Sequence, residues 1–202
     1  MNVAVIGATG RAGREITAEL VRRGHSVTAI VRHPDRALSD PQVKRVAGDV
    51  ADPDGLAKLL ADHDAVVSAV HFLDCDPAKL VSAVRVAGVS RYLVVGGAAS
   101  LEVAPGKTLI DQPNFPKEYE AEARAGIAFL DYLRGVDDLD WTFLSPAALL
   151  FEGPRLGTFR LDRDMLVTNA EGSSISFADY AIAFVDEIEH PHHIRQRFAV
   201  GY

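Results

Sequence analysis

The chain has 202 residues, a formal net charge of −7 and 48% hydrophobic residues. This length fits one domain with a large core. The acidic balance and the absence of a dense Lys/Arg block argue against a nucleic-acid surface, and no apolar run reaches the length of a membrane span. Cys75 is the single cysteine. With no disulfide framework and no signal peptide before the first strand, we expect a cytoplasmic protein.

Strand-like and helix-like patterns alternate along the chain, and alternating βα units predict a parallel sheet covered by helices on both faces. We therefore expect an α/β fold, a Rossmann-type doubly wound parallel sheet, in a single domain over residues 1–202. The predicted strands are Asn2–Ile6, Ser26–Val31, Val43–Ala47, Ala65–Val70, Arg91–Val95, Trp141–Leu144 and Arg197–Val200. The predicted helices are Arg11–Arg23, Pro53–Ala61, Pro77–Ala87, Glu118–Leu133 and Phe177–Glu189.

A glycine-rich turn follows the first strand and predicts a dinucleotide site. Gly7, Gly10 and Gly13 are spaced three residues apart between a strand and a helix. Gly7 permits a sharp turn, Gly10 lets the backbone approach a pyrophosphate, and Gly13 lets helix and strand pack closely. The free N–H groups and the positive dipole end of the helix would then face the anion.

The end of the second strand predicts which dinucleotide binds. Chains that bind NAD usually place Asp or Glu there to accept a hydrogen bond from the ribose 2′-OH. This strand ends in Arg32, whose guanidinium suits a 2′-phosphate, and Arg11 could approach the same phosphate from the glycine turn. Asp35 follows Pro34 and fits a turn residue. NADP(H) is therefore favoured over NAD(H), although Arg32 could also be an ordinary solvated charge.

Two connections are longer than is usual in a compact domain. They cover about residues 101–117 and 147–176 and carry aromatic residues beside Pro and Gly. Long loops in such folds are often functional. We expect both to cover a substrate, the second as a small C-terminal region.

Several segments together carry a resemblance to a known family. They are Gly7–Gly13, Val31-Arg32, Gly48–Val50, Gly96–Leu101, Leu144–Ala147 and Ile175–Ala181. The chain resembles the atypical short-chain dehydrogenase/reductases, and more narrowly the NmrA-like and NADH-flavin-reductase-like branch, which includes biliverdin-IXβ reductase. The resemblance covers essentially the whole chain and is specific for fold and nucleotide binding, much less for substrate.

The resemblance implies a role for each matching position in holding the cofactor. Asp49 would accept from the adenine amine, although a cap on the following turn is the alternative. Ser145 and Pro146 would edge the nicotinamide. The remaining implied residues are Gly7, Thr9, Gly10, Arg11 and Ala12 for the phosphates, Val50 for the adenine, Ser68, Ala69 and Val70 for the adenosine ribose, and Gly96 and Gly97 for the nicotinamide ribose.

The chain departs from the family pattern at the catalytic step. Family members carry Tyr, three residues and then Lys, whereas Tyr119 is followed at that spacing by Ala123. A phenol without an adjacent cation is a poor proton donor at neutral pH. The candidate catalytic residues are Ser100, Tyr119 and Lys117, although Tyr119 and Lys117 could equally be exposed helix residues. His190, His192 and His193 lack the convergence that a metal needs, so no metal site is expected.

Two classes of function fit these features. The first is an NAD(P)H-dependent reductase of a flavin, a quinone or a similar planar acceptor, for which stacking on the nicotinamide suffices. The alternative is a non-catalytic NADP(H)-binding sensor of the NmrA-like type. An epimerase of sugar nucleotides is a third possibility, for which the chain is short. We expect a small-molecule acceptor, no nucleic acid or membrane, and a monomer or homodimer.

Overall fold

The apolar strand segments assemble into one large sheet in a computed structural model that describes residues 1–202. The strands are β1 (Asn2–Ile6), β2 (Ser26–Val31), β3 (Val43–Ala47), β4 (Ala65–Ser68), β5 (Arg91–Val95), β6 (Glu102–Ala104), β7 (Lys107–Thr108), β8 (Asp140–Pro146), β9 (Leu149–Phe151), β10 (Arg160–Asp162), β11 (Ser174–Ser176) and β12 (Gln196–Gly201). The helices are α1 (Arg11–Arg22), α2 (Pro53–Leu60), α3 (Pro77–Val86), α4 (Glu120–Arg134) and α5 (Phe177–Glu189).

The main sheet has eight strands in the order β10-β12-β8-β5-β4-β1-β2-β3. Seven of them pair in parallel, and β10 closes one edge antiparallel to β12. The direction in which the chain adds strands reverses at β1, which lies between β2 and β4. The predicted Rossmann-type doubly wound sheet is thus confirmed, and β1 marks the switch point where such sheets bind ligands.

Two apolar layers cover the sheet, one on each face. Along β1, Val3 and Val5 join the 24-residue cluster with α1 and α5, whereas Ala4 and Ile6 join the 21-residue cluster with α2, α3 and α4. Because successive strand residues point to opposite faces, a central strand of this kind is apolar throughout. None of the helices combines the length and apolar character needed to cross a bilayer.

Three element boundaries differ by two residues from those predicted from the sequence, and the other boundaries of the predicted elements differ by one residue at most. Strand β4 ends at Ser68 rather than Val70, because its neighbour β1 ends at Ile6 and turns away at Gly7. Strand β8 continues to Pro146 because β12 pairs with it along its length. Residues 117–119 form a 3₁₀ turn after Pro116, so the α-helix begins at Glu120 rather than at residue 118.

The two long connections contain short strands that the sequence did not predict. β6 and β7 form a hairpin within residues 101–117. In the second connection, β9 pairs in parallel with β11, and β10 joins the main sheet. The pairings of β9 with β11 and of β10 with β12 join residues far apart in sequence, so no local pattern announces them. The β6–β7 hairpin is local, but its strands have only three and two residues.

The two open edges of the main sheet carry charged side chains. On β3, Lys44 and Arg45 are exposed. On β10, all three residues are exposed, and the guanidinium of Arg160 donates to the backbone carbonyl oxygens of Thr168 and Tyr202 at 2.5 Å.

Candidate active site

Two adjoining pockets open at the carboxyl ends of the parallel strands. We call the first the glycine-turn crevice; its volume is about 210 Å³, and it lies beyond β1, β2, β3 and β4. We call the second the apolar cavity; its volume is about 540 Å³, and it lies beyond β5 and β8. His71 lines the crevice and the next residue, Phe72, lines the cavity. A single loop after β4 therefore forms the wall between the two pockets.

The turn after β1 has the backbone geometry that the glycine spacing predicts. Gly7 has φ +81°, and a Cβ on it would lie 2.5 Å from the carbonyl oxygen of Ala69. A Cβ on Gly13 would lie 2.3 Å from the carbonyl oxygen of Gly7, so the first turn of α1 packs directly on the glycine turn. At Gly10 the nearest atom is 3.4 Å away, and the backbone is exposed.

Helix α1 begins without a side-chain cap. Gly10 occupies the N-cap position and makes no side-chain hydrogen bond. By contrast, α2, α3 and α5 begin with caps from Asp52, Asp76 and Ser176. The first backbone N–H groups of α1 thus remain available beside the crevice, which is the arrangement that binds phosphate.

The crevice brings together eight of the predicted cofactor residues. Arg32 is exposed there and makes no ion pair with the protein. The Asp49 carboxylate accepts from the N–H of Ala51 at 2.9 Å, so it caps the following turn as the alternative interpretation expected, and its second oxygen is free. The eight residues are Gly7, Thr9, Gly10, Arg32, Asp49, Val50, Ala69 and Val70.

Arg11 and Ala12 lie at the start of α1, outside the crevice lining. The Arg11 guanidinium lies 5.2 Å from the ring centroid of Phe177, at a separate pocket of about 190 Å³. To reach a phosphate in the crevice, the Arg11 guanidinium would therefore have to move away from the Phe177 ring. Ser68 is also outside the lining, because it is buried within the sheet.

The predicted nicotinamide residues lie at the ends of β5 and β8. A Cβ on Gly96 would lie 2.4 Å from the Phe143 ring, whereas Gly97 faces the apolar cavity. Ser145 and Pro146 are buried in β8, and the Ser145 hydroxyl has no hydrogen-bond partner. Of the four predicted residues here, only Gly97 lines a pocket; Gly96, Ser145 and Pro146 lie behind the pocket surface. The glycine cradle and the uncapped α1 fit a bound dinucleotide.

The apolar cavity is built from segments far apart in the chain. Its inner wall is Phe72, whose ring stacks on Phe143 at 6.0 Å and meets Phe129 edge-on at 5.4 Å. Gly126 on α4 leaves room for this ring, since a Cβ there would lie 2.8 Å from it. The lining residues are Phe72, Gly97, Ala98, Ala99, Ser100, Leu109, Asn114, Phe115, Pro116, Tyr119, Glu122, Ala123, Gly126, Ile127, Ala148 and Leu149.

Ser100 lines the apolar cavity and is held from behind by a buried arginine. The Arg197 guanidinium donates to Ser100 Oγ at 3.2 Å and binds Asp164 through two N–H groups at 2.6 and 3.1 Å. Sequence reasoning missed both partners. The one available signal was a cation in the otherwise apolar last strand, where Arg197 is 7% exposed.

The structure brings Tyr119, but not Lys117, to the same cavity as Ser100. Tyr119 lines the cavity mouth and is 63% exposed. Lys117 is exposed outside the lining, in the 3₁₀ turn that precedes α4 and not in the helix itself. Ala123 contributes only a methyl group where the family pattern has a lysine.

Glu122 has a role that the sequence did not indicate. Its carboxylate, in the first turn of α4, accepts from the N–H groups of Phe72 at 2.7 Å and Leu73 at 3.1 Å. His71 Nδ1 lies 3.4 Å from the same carboxylate. Glu122 thus fastens the wall between crevice and cavity to α4.

Two titratable groups near the site are held in their protonated form. Burial, followed by the charges of Glu122, Asp74 and Asp76, raises the pKa of Cys75 to about 12, so its thiol is a poor nucleophile at neutral pH. Burial also raises the pKa of Tyr180, whose hydroxyl donates at 2.7 Å to the Leu144 carbonyl oxygen.

The three histidines near the carboxyl end of the chain differ in their surroundings. His190 and His192 are exposed. The His193 ring instead stacks 3.9 Å from the Phe198 ring, and its Nδ1 lies 2.8 Å from a Glu187 carboxylate oxygen. It therefore takes part in packing at the start of β12.

Comparison with known proteins adds a family match and related structures. A family model described as NAD(P)H-binding matches residues 7–191. A solved protein of Burkholderia pseudomallei, named "putative exported protein", is 46% identical with a TM-score of 0.90 and full coverage of both chains. A "putative epimerase" of Bacteroides thetaiotaomicron is 37% identical with a TM-score of 0.94, covering 100% of this chain and 96% of that one. A "putative NADH-flavin reductase" of Streptococcus pneumoniae TIGR4 is 37% identical with a TM-score of 0.84, covering 100% and 99%.

Proposed function

The chain belongs to the NAD(P)H-binding family, and on this basis we propose that it is an NAD(P)H-dependent oxidoreductase that reduces a flavin, a quinone or a similar planar acceptor. The observation that carries the proposal is the apolar cavity of about 540 Å³ beside the glycine-turn crevice. A pocket of this size and character accommodates a planar conjugated ring. The name of the Streptococcus relative points the same way.

In this proposal the chain's own residues hold the cofactor across the two pockets. Gly10 and the free N–H groups of α1 bind the pyrophosphate, Asp49 and Val50 flank the adenine, and Gly97, which lines the cavity, lies beside the nicotinamide ribose. The bound cofactor supplies the hydride. Phe72 and the other apolar residues of the cavity position the acceptor ring and exclude water from it, which is the main requirement for transfer between stacked rings.

Ser100 is the group best placed to hold a proton at the acceptor. Its oxygen already accepts a hydrogen bond from Arg197, so its single O–H is left to donate towards the cavity. Tyr119, exposed at the mouth, covers the ring and does not serve as the acid. The proton itself comes from solvent.

We propose NADPH as the preferred cofactor because Arg32 stands unpaired at the crevice. A guanidinium offers two parallel N–H donors to a 2′-phosphate. No carboxylate directly follows β2 that could accept a hydrogen bond from a ribose 2′-hydroxyl. The remaining proposals are a cytoplasmic location, a monomer or homodimer, and no nucleic-acid partner. Fractionation and solution mass measurements test them, and the name of the Burkholderia relative is a reason to test location directly.

The competing function is a sensor that binds NADP(H) without turnover. It is favoured by Ala123, which leaves Tyr119 without the lysine of the family pattern. A sensor and a reductase share the crevice, so binding of the dinucleotide does not distinguish them. Turnover that depends on the cavity does.

The experiment is steady-state oxidation of NADPH and NADH, followed by nicotinamide absorbance, with free flavins and small quinones as acceptors. Ala123→Phe fills the cavity from α4, so it should raise the acceptor KM at least about tenfold and leave cofactor binding unchanged. Ala121→Phe is the matched control, because residue 121 is exposed on the same helix outside the cavity. Saturable NADPH binding without turnover by any acceptor would refute the reductase and favour the sensor.

A further inference from the structure

The charge of the apolar cavity restricts the acceptor that it can take. Fifteen of its sixteen lining residues are uncharged, and the remaining one is the acidic Glu122. Only Ser100, Asn114 and Tyr119 add uncharged polar side-chain groups. An anionic group that entered this cavity would lose water and meet a carboxylate, with no cation in the lining to pair with it.

Glu122 cannot easily remove its charge from the wall. Both carboxylate oxygens are held by backbone N–H groups, those of Phe72 and Leu73. Its side chain is 31% exposed and lines the cavity. A carboxylate fixed by two backbone donors stays in place and presents its remaining lone pairs to whatever binds.

The neighbouring groups that can carry a positive charge do not place a cation in the cavity lining. His71, whose Nδ1 lies 3.4 Å from the Glu122 carboxylate, is 82% exposed and lines the crevice instead. Lys117 is exposed outside the lining, and Arg124 pairs with Glu120 at 2.7 Å. The guanidinium of Arg197 lies behind Ser100 and is already neutralised by Asp164.

Building on the proposed reductase function, we propose that the acceptor is an uncharged planar ring and that Glu122 is a specificity residue against anionic acceptors. Acceptors that carry phosphate, sulfonate or carboxylate on or beside the ring are disfavoured. The favoured class is neutral quinones and flavins without phosphate. The negative wall also favours rings that present an N–H donor, because a carboxylate only accepts hydrogen bonds.

The test uses two quinones that differ by one anionic group, 1,2-naphthoquinone and its 4-sulfonate, with NADPH as the reductant. The sulfonate also changes the intrinsic reactivity of the ring, so the measured quantity is the ratio of the two kcat/KM values, compared between wild type and Glu122→Gln. Intrinsic reactivity cancels in this comparison. Glutamine keeps the side-chain length and one oxygen for the Phe72 N–H.

We expect Glu122→Gln to shift the ratio towards the sulfonate by between about 2- and 30-fold, as Coulomb's law gives for unit charges roughly 8 Å apart at effective dielectric constants of about 80 to 20. Glu120→Gln is the matched control: it removes the same charge two residues away on α4, outside the cavity, and should leave the ratio unchanged. An unchanged ratio in Glu122→Gln, or an equal shift in Glu120→Gln, overturns the assignment of Glu122.

A binding measurement separates this inference from the proposed function. Riboflavin and FMN differ by one phosphate, and fluorescence anisotropy measures the binding of each to the NADP⁺-loaded protein without any chemistry. Tighter binding of riboflavin supports the inference even if no acceptor is turned over, in which case only the reductase proposal fails. Binding of FMN as tightly as riboflavin, or more tightly, overturns the inference even if the protein is a reductase.

Discussion

Gly13→Ala tests whether the packing of α1 on the glycine turn holds the phosphate site in shape. The added Cβ would lie 2.3 Å from the Gly7 carbonyl oxygen, about 1 Å closer than ordinary contact allows. That oxygen also accepts the hydrogen bond from Gly10 N–H at 3.0 Å that closes the turn. The helix, the turn or both must therefore move by about 1 Å, and the N–H groups that would face a phosphate move with them.

Two opposing terms set the effect on stability. Overpacking of this kind costs about 1–3 kcal/mol, whereas alanine in a helix is favoured over glycine by about 1 kcal/mol. The free energy of unfolding should therefore fall by no more than about 2 kcal/mol. Binding is affected more, because the loss of one charge-assisted bond costs about 1.5–3 kcal/mol, which is roughly 10- to 150-fold in Kd.

The assay is isothermal titration of NADPH together with chemical unfolding of the apo protein. Gly24→Ala is the control: Gly24 has φ +82° at the end of α1, with no atom near its Cβ position. Backbone strain at residue 24 should lower the free energy of unfolding by about 1–2 kcal/mol. Because residue 24 lies at the other end of the helix, the Kd of Gly24→Ala for NADPH should equal that of wild type. If Gly13→Ala binds NADPH like wild type, the claim that this contact shapes the phosphate site is wrong.

Three further predictions concern the cofactor, acid stability and the thiol. Arg32→Glu should raise the Kd for NADPH by about 10- to 100-fold and that for NADH much less; equal changes would contradict the assignment of Arg32. Burial alone would raise the pKa of Glu19, yet hydrogen bonds and charges from Arg155 and Arg23 hold it below its usual value. The stability it contributes is thus present above the unfolded-state pKa of about 4.5 and lost as pH falls through the lower folded value, so Arg155→Met should flatten the acid limb of unfolding measured by circular dichroism. Acid limbs with the same slope in wild type and Arg155→Met would refute the role of Arg155 in lowering the pKa of Glu19. Cys75, with its raised pKa, should be alkylated by iodoacetamide at pH 8 at least about tenfold more slowly than free cysteine, as followed by mass spectrometry; comparable rates would contradict its burial.

The fold was predictable because its determinants are local. An apolar strand, a glycine turn and an amphipathic helix lie within Asn2–Arg22, and each signals the next. The parallel order then follows from the right-handed crossover of successive βα units. The error at β4 has the same origin: Ala69 and Val70 are as apolar as the strand before them, and only the end of β1 shows that they leave the sheet.

The apolar cavity was less predictable because the contacts that form it are not local. Glu122 meets Phe72 across 50 residues, and Arg197 meets Ser100 across 97 residues. Neither pair follows from helix or strand periodicity. Most residues that line the glycine-turn crevice directly follow a strand, so the strands predict where they lie. The apolar cavity is also lined by residues of the two long connections, whose path the sequence does not indicate.

The charged edges of the sheet bear on how the protein behaves when crowded. A strand from another molecule could extend the main sheet only at its edge strands, β3 and β10. At β3 it would meet the exposed charges of Lys44 and Arg45. At β10 it would also meet Arg160, whose guanidinium already ties the edge to the carbonyls of Thr168 and Tyr202. Edges built this way disfavour the addition of a strand from another molecule, so we expect the main sheet to be protected against edge-to-edge association at high protein concentration.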